Sequence, residues 1–424
     1  MSAFTPQIIA NLRNGYDFRM LRADALAGMT VAIVALPLSM AIAIASGATP
    51  AQGLVTAIVG GFLISAFGGS RYQIGGPAGA FIVLVSATVA AHGMDGLVMA
   101  TLLSGLMLTA LGVLRLGGLI RHIPHAVTVG FTTGIGVIIL ASEISPLLGL
   151  HLAAEPGPLA EKLPALWSAL GTINAQAIAL SVGTIAGILS LRRLVPRAPV
   201  LLIVVAVGTA LATIAGLSVE TIASRFDGIP QSFPLPALPL VTWAKVTAVF
   251  PTAVAFTLLG AIESLLSAVV ADRMSGDTHA PNMELVAQGV ANVAAALFGG
   301  FCVTGTIART ATNVRAGAHG PVAGMLHAAF LLAFVLIAAP LAGYVPLAVL
   351  AGVLAVVAWN MIERAEITAF FRHDRAALAV VAVTLGLTIF RDLIEAIAAG
   401  VILAAIIAAA RHRGSKPPPG PVPP

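Results

Sequence analysis

Long apolar stretches alternate with short polar connections along almost the whole chain. Most of these stretches hold the roughly 20 apolar residues that a helix needs to span a bilayer. The fourteen stretches cover residues 25–46, 50–69, 74–91, 96–115, 122–141, 172–191, 198–216, 247–271, 283–299, 302–317, 321–340, 342–360, 376–390 and 393–410. The pattern predicts an all-α polytopic membrane protein with fourteen transmembrane segments.

The polar regions divide the chain into five parts. Residues 1–22 are polar and mixed, and residues 218–246 form a long central connection. This connection separates seven spans in residues 23–217 from seven more in residues 247–411. Residues 412–424 are rich in proline, so we expect an extended, disordered tail.

The composition agrees with a protein surrounded by lipid. The chain is 58% hydrophobic and only 9% charged, whereas a soluble domain is about 25% charged. Its net charge of +5 would suggest nucleic acid in a soluble protein. Here the basic residues lie singly in short loops, where they set the orientation of the spans. We therefore expect a lipid bilayer as a partner and no nucleic acid.

The distribution of Lys and Arg predicts the topology. With the N-terminus inside, 17 of the 22 basic residues fall on the inner side, 4 on the outer side and Arg309 within a span. The outer four are Lys162, Arg225, Lys245 and Arg391. This bias predicts a multi-pass protein of the cell (inner) membrane with both termini in the cytoplasm.

Two pairs of similar segments indicate an internal duplication. FGGSRYQIGGPAGAFIV begins at Phe67 and FGGFCVTGTIARTATNV at Phe298, while similar shorter segments begin at Pro124 and Pro346. The two pairs occur in the same order, which favours a repeated unit. A repeat of seven spans must be inverted relative to the first, an arrangement that places the binding site at the repeat interface near the membrane midplane.

The openings of spans 3 and 10 do not have the pattern of continuous helices. Gly75, Gly76 and Pro77 would break one helix and begin another, and residues 301–306 have a similar extended character. We expect each opening to be a short extended segment followed by a half-helix. Such backbone is tolerated at membrane depth only inside protein or along a cavity.

Two half-helix starts that face each other would bind an anion, because each presents unpaired N–H groups and a partial positive charge. The predicted amides are those of Ala78, Gly79, Ala80, Ile307, Ala308 and Arg309. The alternative is a pair of ordinary kinked spans whose small residues serve close packing.

Two charged residues fall inside predicted spans. Arg309 lies in span 10, where a buried cation indicates a functional site by default, either binding the anion or balancing Glu263. Glu263 lies in span 8 with Ser267 on the same helix face, so it is the candidate for proton or sodium coupling. A static Arg309–Glu263 ion pair is the structural alternative.

Other residues have structural explanations. We expect Glu143 and Glu395 to be interfacial, and His122 and His125 to lie in a solvated loop. Gly130 and Gly134 form a GxxxG motif that is typical of helix packing.

Motifs for other chemistry are missing. The single cysteine, Cys302, allows no intrachain disulfide, and no Cys/His cluster has zinc-ligand spacing. Neither a P-loop nor a GxSxG motif is present. The sequence therefore predicts no enzymatic activity, no metal and no cofactor other than a coupling ion.

Three stretches resemble a known family. They are DALAGMTVAIVALPLSMAIAIASGATPAQGL in span 1, FGGSRYQIGGPAGAFIVLV in span 3 and FGGFCVTGTIARTATNVRAGAHGPVAG in span 10. With these stretches the chain resembles the sulfate permease family of anion transporters over residues 20–410.

The resemblance implies a fold of two inverted seven-span repeats that is shared with nucleobase transporters. It further implies a core and a gate domain, an elevator-like motion, a homodimer and a substrate site between spans 1, 3, 8 and 10. By motif, the lining residues would be Leu38, Ile42, Ala78, Phe81, Glu263, Thr304, Thr306, Ala308 and Arg309.

The chain departs from the family pattern in two places. Leu38 follows Pro37 where many relatives have Gln, so the expected site is more apolar and sulfate is less assured. Relatives usually carry a cytosolic STAS domain after the last span, whereas this sequence continues into the proline-rich tail. Either the protein lacks that domain or the chain is truncated.

The leading hypothesis is symport of a small anion, with a proton rather than sodium as the coupling ion because span 8 carries glutamate. Candidate substrates are dicarboxylates such as fumarate, bicarbonate, and sulfate. The alternatives are a nucleobase symporter, which Arg309 disfavours, and an uncoupled anion channel or exchanger.

Overall fold

The structure is a computed structural model that describes residues 4–13, 15–120, 124–152, 159–195, 198–391 and 393–414. Its helices are α1 (Gln7–Arg13), α2 (Phe18–Ala45), α3 (Pro50–Phe67), α4 (Ile82–Val113), α5 (Gly117–Ile120), α6 (His125–Leu148), α7 (Leu159–Ser168), α8 (Ala175–Leu194), α9 (Val200–Ile214), α10 (Ile222–Phe226), α11 (Trp243–Ser275), α12 (Pro281–Leu297), α13 (Ile307–Arg315), α14 (Val322–Gly343), α15 (Leu347–Met361), α16 (Arg364–His373), α17 (Arg375–Phe390) and α18 (Leu393–Gly414). The strands are β1 (Gly75–Gly76) and β2 (Thr304–Gly305), and 3-10 turns cover Gly79–Phe81 and Leu170–Thr172.

Each predicted apolar stretch coincides with a helix, or with a short strand followed by a helix. Eight helices of the described residues are long and apolar enough to cross a membrane by length and composition, and three shorter ones are also apolar. The mostly helical, polytopic architecture predicted from the hydropathy pattern is therefore confirmed.

Spans 3 and 4 are joined more closely than the sequence suggested. A polar connection was expected between residues 91 and 96, and the break between the two helical parts of α4 is confined to a kink there. Only Gly93 leaves the helical region, with φ 65° and ψ −176°. A positive φ is available to glycine without strain, so one residue redirects the helix without a separate loop.

The chain forms two compact units. The first contains residues 1–121 and 139–358, and the second contains residues 122–138 and 359–424. Each unit includes parts of both predicted seven-span sets. The repeat boundaries at residues 217 and 247 remain a prediction.

Close helix crossings in the first unit depend on small residues. A Cβ on Gly105 would lie 2.7 Å from the backbone nitrogen of Val293, and one on Gly112 would lie 2.7 Å from the carbonyl oxygen of Asn282. These glycines allow the backbones of α4 and α12 to touch, as in membrane helix pairs that associate through small residues.

In the second unit, the GxxxG motif of α6 packs against α17. A Cβ on Gly130 would lie 2.8 Å from Val381 O, and one on Gly134 would lie 2.7 Å from Thr388 Cβ. The packing role predicted for this motif is confirmed. His125 lies on the surface as expected, with Nε2 3.3 Å from Glu366 Oε2, whereas His122 lies outside the described residues.

The two glutamates expected at the interface differ from each other. Glu395 is exposed and accepts a hydrogen bond from Arg391 Nε at 3.2 Å. Glu143 is only 5% exposed, so protein covers it, and its position at the membrane interface stays a prediction. The cover comes from α7, whose Lys162 is also buried and donates to Ser142 Oγ at 3.1 Å.

Candidate functional site

A two-stranded antiparallel sheet forms the centre of the candidate site. Gly75 of β1 pairs with Gly305 of β2, and Gly76 pairs with Thr304. The pairing is extended by a hydrogen bond from Thr306 N to Ile74 O at 3.0 Å. The segments predicted to open spans 3 and 10 as short strands therefore join the two halves of the chain.

Each strand leads into the start of a helix. After β1, Ala78 is extended at φ −115° and ψ 143°, and the turn Gly79–Phe81 continues into α4. After β2, Thr306 is extended at φ −110° and ψ 126°, and α13 follows. Neither Ala78 nor Thr306 caps its helix with a side-chain hydrogen bond. The first N–H groups of both half-helices therefore carry the unpaired donors and partial positive charge of an uncapped helix start.

The predicted lining residues differ in exposure. Four contribute to the accessible surface: Gly79 and Thr306 are half-buried, and Ile307 and Ala308 are exposed. The buried members are Leu38, Ile42, Ala78, Ala80, Phe81, Glu263, Thr304 and Arg309. The accessible part thus consists of backbone and small or apolar side chains, and the charged groups lie behind it.

Phe81 packs against α11. Its ring is 5.8 Å from that of Phe256 with an interplanar angle of 64°, and its Cζ lies 3.6 Å from the position of a Cβ on Gly260. Thr304 Oγ1 donates to Gly260 O at 3.1 Å. These contacts bring two predicted lining residues, Phe81 of span 3 and Thr304 of span 10, to the same turn of α11.

The side chain of Arg309 reaches from α13 across the sheet to α2. Its Nη2 atom donates to Ser39 Oγ at 3.1 Å and to Pro77 O at 3.3 Å. Its Nε and Nη1 atoms have no hydrogen-bond partner among the described residues. The residue is 1% exposed, so its positive charge lies immediately behind the first half-helix start.

Gly76 allows the Arg309 side chain to cross the strand pair. A Cβ on Gly76 would collide with Nη1 of Arg309 and lie 2.8 Å from its Cζ. On the partner strand, a Cβ on Gly305 would collide in the same way with the side-chain amide of Gln73. One long side chain from each half therefore passes over a glycine of the other strand.

On α11, Glu263 lies between two residues that form hydrogen bonds to the second half-helix region. One turn before it, Gly260 O accepts the hydrogen bond from Thr304. One turn after it, Ser267 Oγ donates to Thr310 Oγ1 at 3.0 Å, and Thr310 Oγ1 also accepts from Ile74 N at 3.1 Å. Residues three to four positions apart share a helix face, so Glu263 lies on the face that contacts β2 and α13.

Glu284 is a buried residue that the sequence analysis missed. Its carboxylate accepts hydrogen bonds from Gly69 N, Ser70 N, Gln73 Nε2 and Gln288 Nε2 at 2.8–3.0 Å. It thereby holds the loop before β1 and the side chain that crosses β2.

A polar stripe along α12 was the available signal. Glu284, Gln288 and Asn292 recur every four residues in an otherwise apolar helix, so they share one face. Asn292 completes the stripe: its Oδ1 accepts from Val303 N at 3.0 Å and its Nδ2 donates to Val303 O at 2.7 Å. One face of α12 therefore fixes the segments before both strands.

Asp24 has a comparable role near the start of α2 and was also missed. Its carboxylate accepts from His319 N at 2.6 Å, Gly320 N at 3.0 Å and the Tyr16 hydroxyl at 2.7 Å. Burial and this carboxylate raise the pKa of Tyr16 above its ordinary value, so the phenol stays protonated and donates. The loop between α13 and α14 is thus attached to α2.

The sequence comparison decides the family to which this fold and site belong. Residues 21–384 match the sulfate permease family. The chain belongs to the sulfate permease family. It is accordingly a membrane transport protein rather than an enzyme, and its relatives are anion transporters.

Two relatives illustrate the sequence similarity. The protein named "Putative sulfate transporter YvdB" from Bacillus subtilis (strain 168) is 41% identical over 391 residues, which are 92% of this chain and 74% of that protein. The bicarbonate transporter BicA from Picosynechococcus sp. is 32% identical over 412 residues, which are 93% of this chain and 71% of that protein.

Two solved structures have the same fold as this chain. The transmembrane domain of a cyanobacterium bicarbonate transporter BicA superposes with a TM-score of 0.81 at 31% identity, over 90% of this chain and 98% of that chain. SLC26A9 superposes with a TM-score of 0.87 at 18% identity, over 96% and 68%. At 18% identity, the similarity to SLC26A9 shows the fold alone. The predicted fold of inverted repeats is confirmed by these neighbours.

Proposed function

We propose that this member of the sulfate permease family is a secondary active transporter of a small anion, coupled to protons by symport. The observation that carries the proposal is the pair of uncapped half-helix starts beside the strand pair, with the Arg309 guanidinium buried behind them. Helix N-termini and a fixed cation both favour negative charge.

The substrate we propose is a small oxyanion, with bicarbonate first and sulfate second. Relatives named for bicarbonate and for sulfate support this class. The side chains of Ile307 and Ala308 are exposed and apolar, so only their backbone N–H groups can bind a ligand. A few neighbouring N–H groups suit a compact anion. Fumarate represents the dicarboxylates, which remain the third candidate.

Arg309 acts in this proposal as a charge rather than as a direct ligand. It is 1% exposed and is held by Ser39 and by Pro77 O, at the start of the first half-helix. A charge in a low-dielectric interior acts over several ångströms with little screening. Arg309 therefore raises the affinity of the neighbouring amides for an anion without touching it.

Glu263 is the proposed coupling residue. It is 9% exposed and lies on the face of α11 that contacts β2 and α13. A proton on Glu263 would remove a negative charge beside the anion site, so protonation and anion binding would favour each other. By linkage, each ligand then raises the affinity for the other by the same factor.

We further propose that the transport step is an elevator-like displacement of the helices that carry the site. The hydrogen bonds between α11, the two strands and α12 support this idea, because they hold both half-helix starts in one body. The homodimer implied by the family resemblance stays a prediction, as does the orientation with both termini in the cytoplasm.

The test is uptake of labelled bicarbonate, sulfate, fumarate and uracil into proteoliposomes, with and without an inward proton gradient. Arg309→Ala is compared with Arg315→Ala, a matched control that removes an exposed arginine from the same helix. We expect gradient-stimulated uptake of one anion, lost in Arg309→Ala and kept in Arg315→Ala.

Two results would overturn the proposal. Uptake of uracil alone would assign the nucleobase function to this site. Anion flux that is indifferent to the proton gradient and to Arg309 would indicate an uncoupled channel or exchanger.

A further inference from the structure

The connection that precedes α11 exposes large apolar side chains on an extended backbone. We name residues 228–243 the outer strap; all but its last residue lie outside helices and strands. Leu235 is 87% exposed, Leu238 85%, Leu240 78% and Trp243 81%. Exposure of this extent in one short segment marks an interaction surface.

The outer strap carries no charged side chain. Asp227 precedes it and Lys245 follows it, and between residues 228 and 244 the sequence has neither acidic nor basic residues. Loops that remain in water are typically polar and charged, so this composition fits an apolar environment better than an aqueous one.

Its backbone is also adapted to an environment poor in water. Pro230, Pro234, Pro236 and Pro239 have no N–H group. Ala237 N donates to Leu297 O at 2.8 Å. Unpaired N–H and C=O groups exclude irregular backbone from the hydrocarbon core. The prolines remove four of the N–H donors, and the remaining carbonyls need the water that is present at the headgroup level.

Anchoring contacts set the depth of the outer strap. Its middle is bonded to Leu297, the last residue of α12, and the ring of Phe233 lies 5.6 Å from that of Phe298. Its end is Trp243, the first residue of α11. Trp is enriched at the membrane–water interface, so Trp243 at the start of α11, a helix long and apolar enough to cross a membrane, favours that level for the outer strap.

We propose that the outer strap lies in the boundary between lipid headgroups and acyl chains and anchors the start of α11 there. Its exposed leucines are irregularly spaced, are interrupted by prolines and have no charged side chain beside them, so the segment offers no periodic or charged face to a protein partner. An apolar medium that surrounds the segment satisfies all of them together. This inference depends on membrane embedding and not on the substrate or the coupling ion.

The experiment places a fluorescent reporter in the middle of the outer strap. In full-length protein carrying Trp167→Phe, Trp243→Tyr and Trp359→Phe, the substitution Leu238→Trp supplies the only tryptophan, and Tyr keeps an interfacial aromatic side chain at position 243. The protein is reconstituted in phosphatidylcholine vesicles whose acyl chains are brominated at a shallow or a deep position. Acrylamide in the buffer measures exposure to water.

We expect several-fold stronger quenching by the shallow bromolipid than by the deep one, with weak quenching by acrylamide. Adding Leu235→Asp and Leu240→Asp should make acrylamide the stronger quencher and weaken quenching by both bromolipids, because two charges draw the segment into water. Strong acrylamide quenching without lipid quenching in the Leu238→Trp protein would overturn the proposal. Weak quenching by every reagent, together with crosslinking between two copies of a Leu238→Cys variant, would replace lipid by a second copy of the chain.

Discussion

The Nη2 atom of Arg309 donates a hydrogen bond to Ser39 Oγ across 3.1 Å, which joins the second half-helix to the first span. The guanidinium reaches Ser39 only because Gly76 has no side chain in its path. The position of the buried charge therefore depends on a glycine in the opposite half of the chain.

We predict that Gly76→Ala displaces the Arg309 side chain and impairs transport. The added methyl group would collide with Nη1 of Arg309, and overpacking of a buried site costs about 1–3 kcal/mol. Displacement of the guanidinium would also weaken anion binding at the half-helix starts, so we expect anion uptake to fall about tenfold, which corresponds to about 1.4 kcal/mol. Uptake into proteoliposomes is the measurement.

The matched control is Gly183→Ala on α8, where a Cβ meets nothing within 4 Å. This variant should transport at the wild-type rate. Equal activity of Gly76→Ala and Gly183→Ala would show that the position of the Arg309 guanidinium is unimportant for uptake.

The stability of the site is predicted to depend on Glu284. Its carboxylate accepts hydrogen bonds from two backbone N–H groups and two side-chain amides. In Glu284→Gln, one acceptor oxygen becomes an NH₂ group that faces other donors. Each buried donor left without a partner costs about 1–3 kcal/mol, so thermal unfolding in detergent should begin at a clearly lower temperature.

Glu161→Gln provides the comparison for this prediction, since Glu161 is exposed in the first turn of α7. Surface substitutions usually change stability by about 0.5 kcal/mol or less. If the two glutamine variants unfold at the same temperature, the hydrogen bonds of Glu284 do not stabilise the fold.

The strand pair illustrates what could be predicted from the sequence. Gly75, Gly76 and Pro77 interrupt an apolar span, and the break falls at the matching place in the other half, so two strand-plus-half-helix units were predictable. Glycine and proline determine backbone locally, without knowledge of distant contacts. The antiparallel register of Gly75 with Gly305 follows only from the assembled fold.

Residues that depend on distant partners were harder to place. Arg309 was correctly expected inside a span, but its direction is set by Ser39, 270 residues away in sequence. The burial of Glu143 was not predictable from its own segment, because the cover is provided by α7. No role was predicted for Glu284, which lies at the edge of a predicted span. Its four-residue spacing from Gln288 nevertheless indicated a polar helix face.

Packing in the second unit is predicted to depend on Gly130. A Cβ there would approach Val381 O to 2.8 Å, so Gly130→Ala should separate α6 from α17. Overpacking of this kind costs about 1–3 kcal/mol. We expect a lower thermal unfolding temperature in detergent for Gly130→Ala than for Gly386→Ala, which adds a methyl group in open space on α17. The reverse order would contradict the packing role of the GxxxG motif.

Proton coupling makes a separate prediction for Glu263. Glutamine resembles the protonated side chain in size and charge, so Glu263→Gln should bind the anion but no longer respond to a proton gradient. We expect uptake into proteoliposomes to become independent of the gradient, while exchange of internal for external anion continues. Ser264→Ala, a neighbouring buried change on the same helix, should keep the gradient response. A Glu263→Gln protein whose uptake is still stimulated by the gradient would exclude Glu263 as the coupling residue, and one that has lost both uptake and exchange would assign it to anion binding instead.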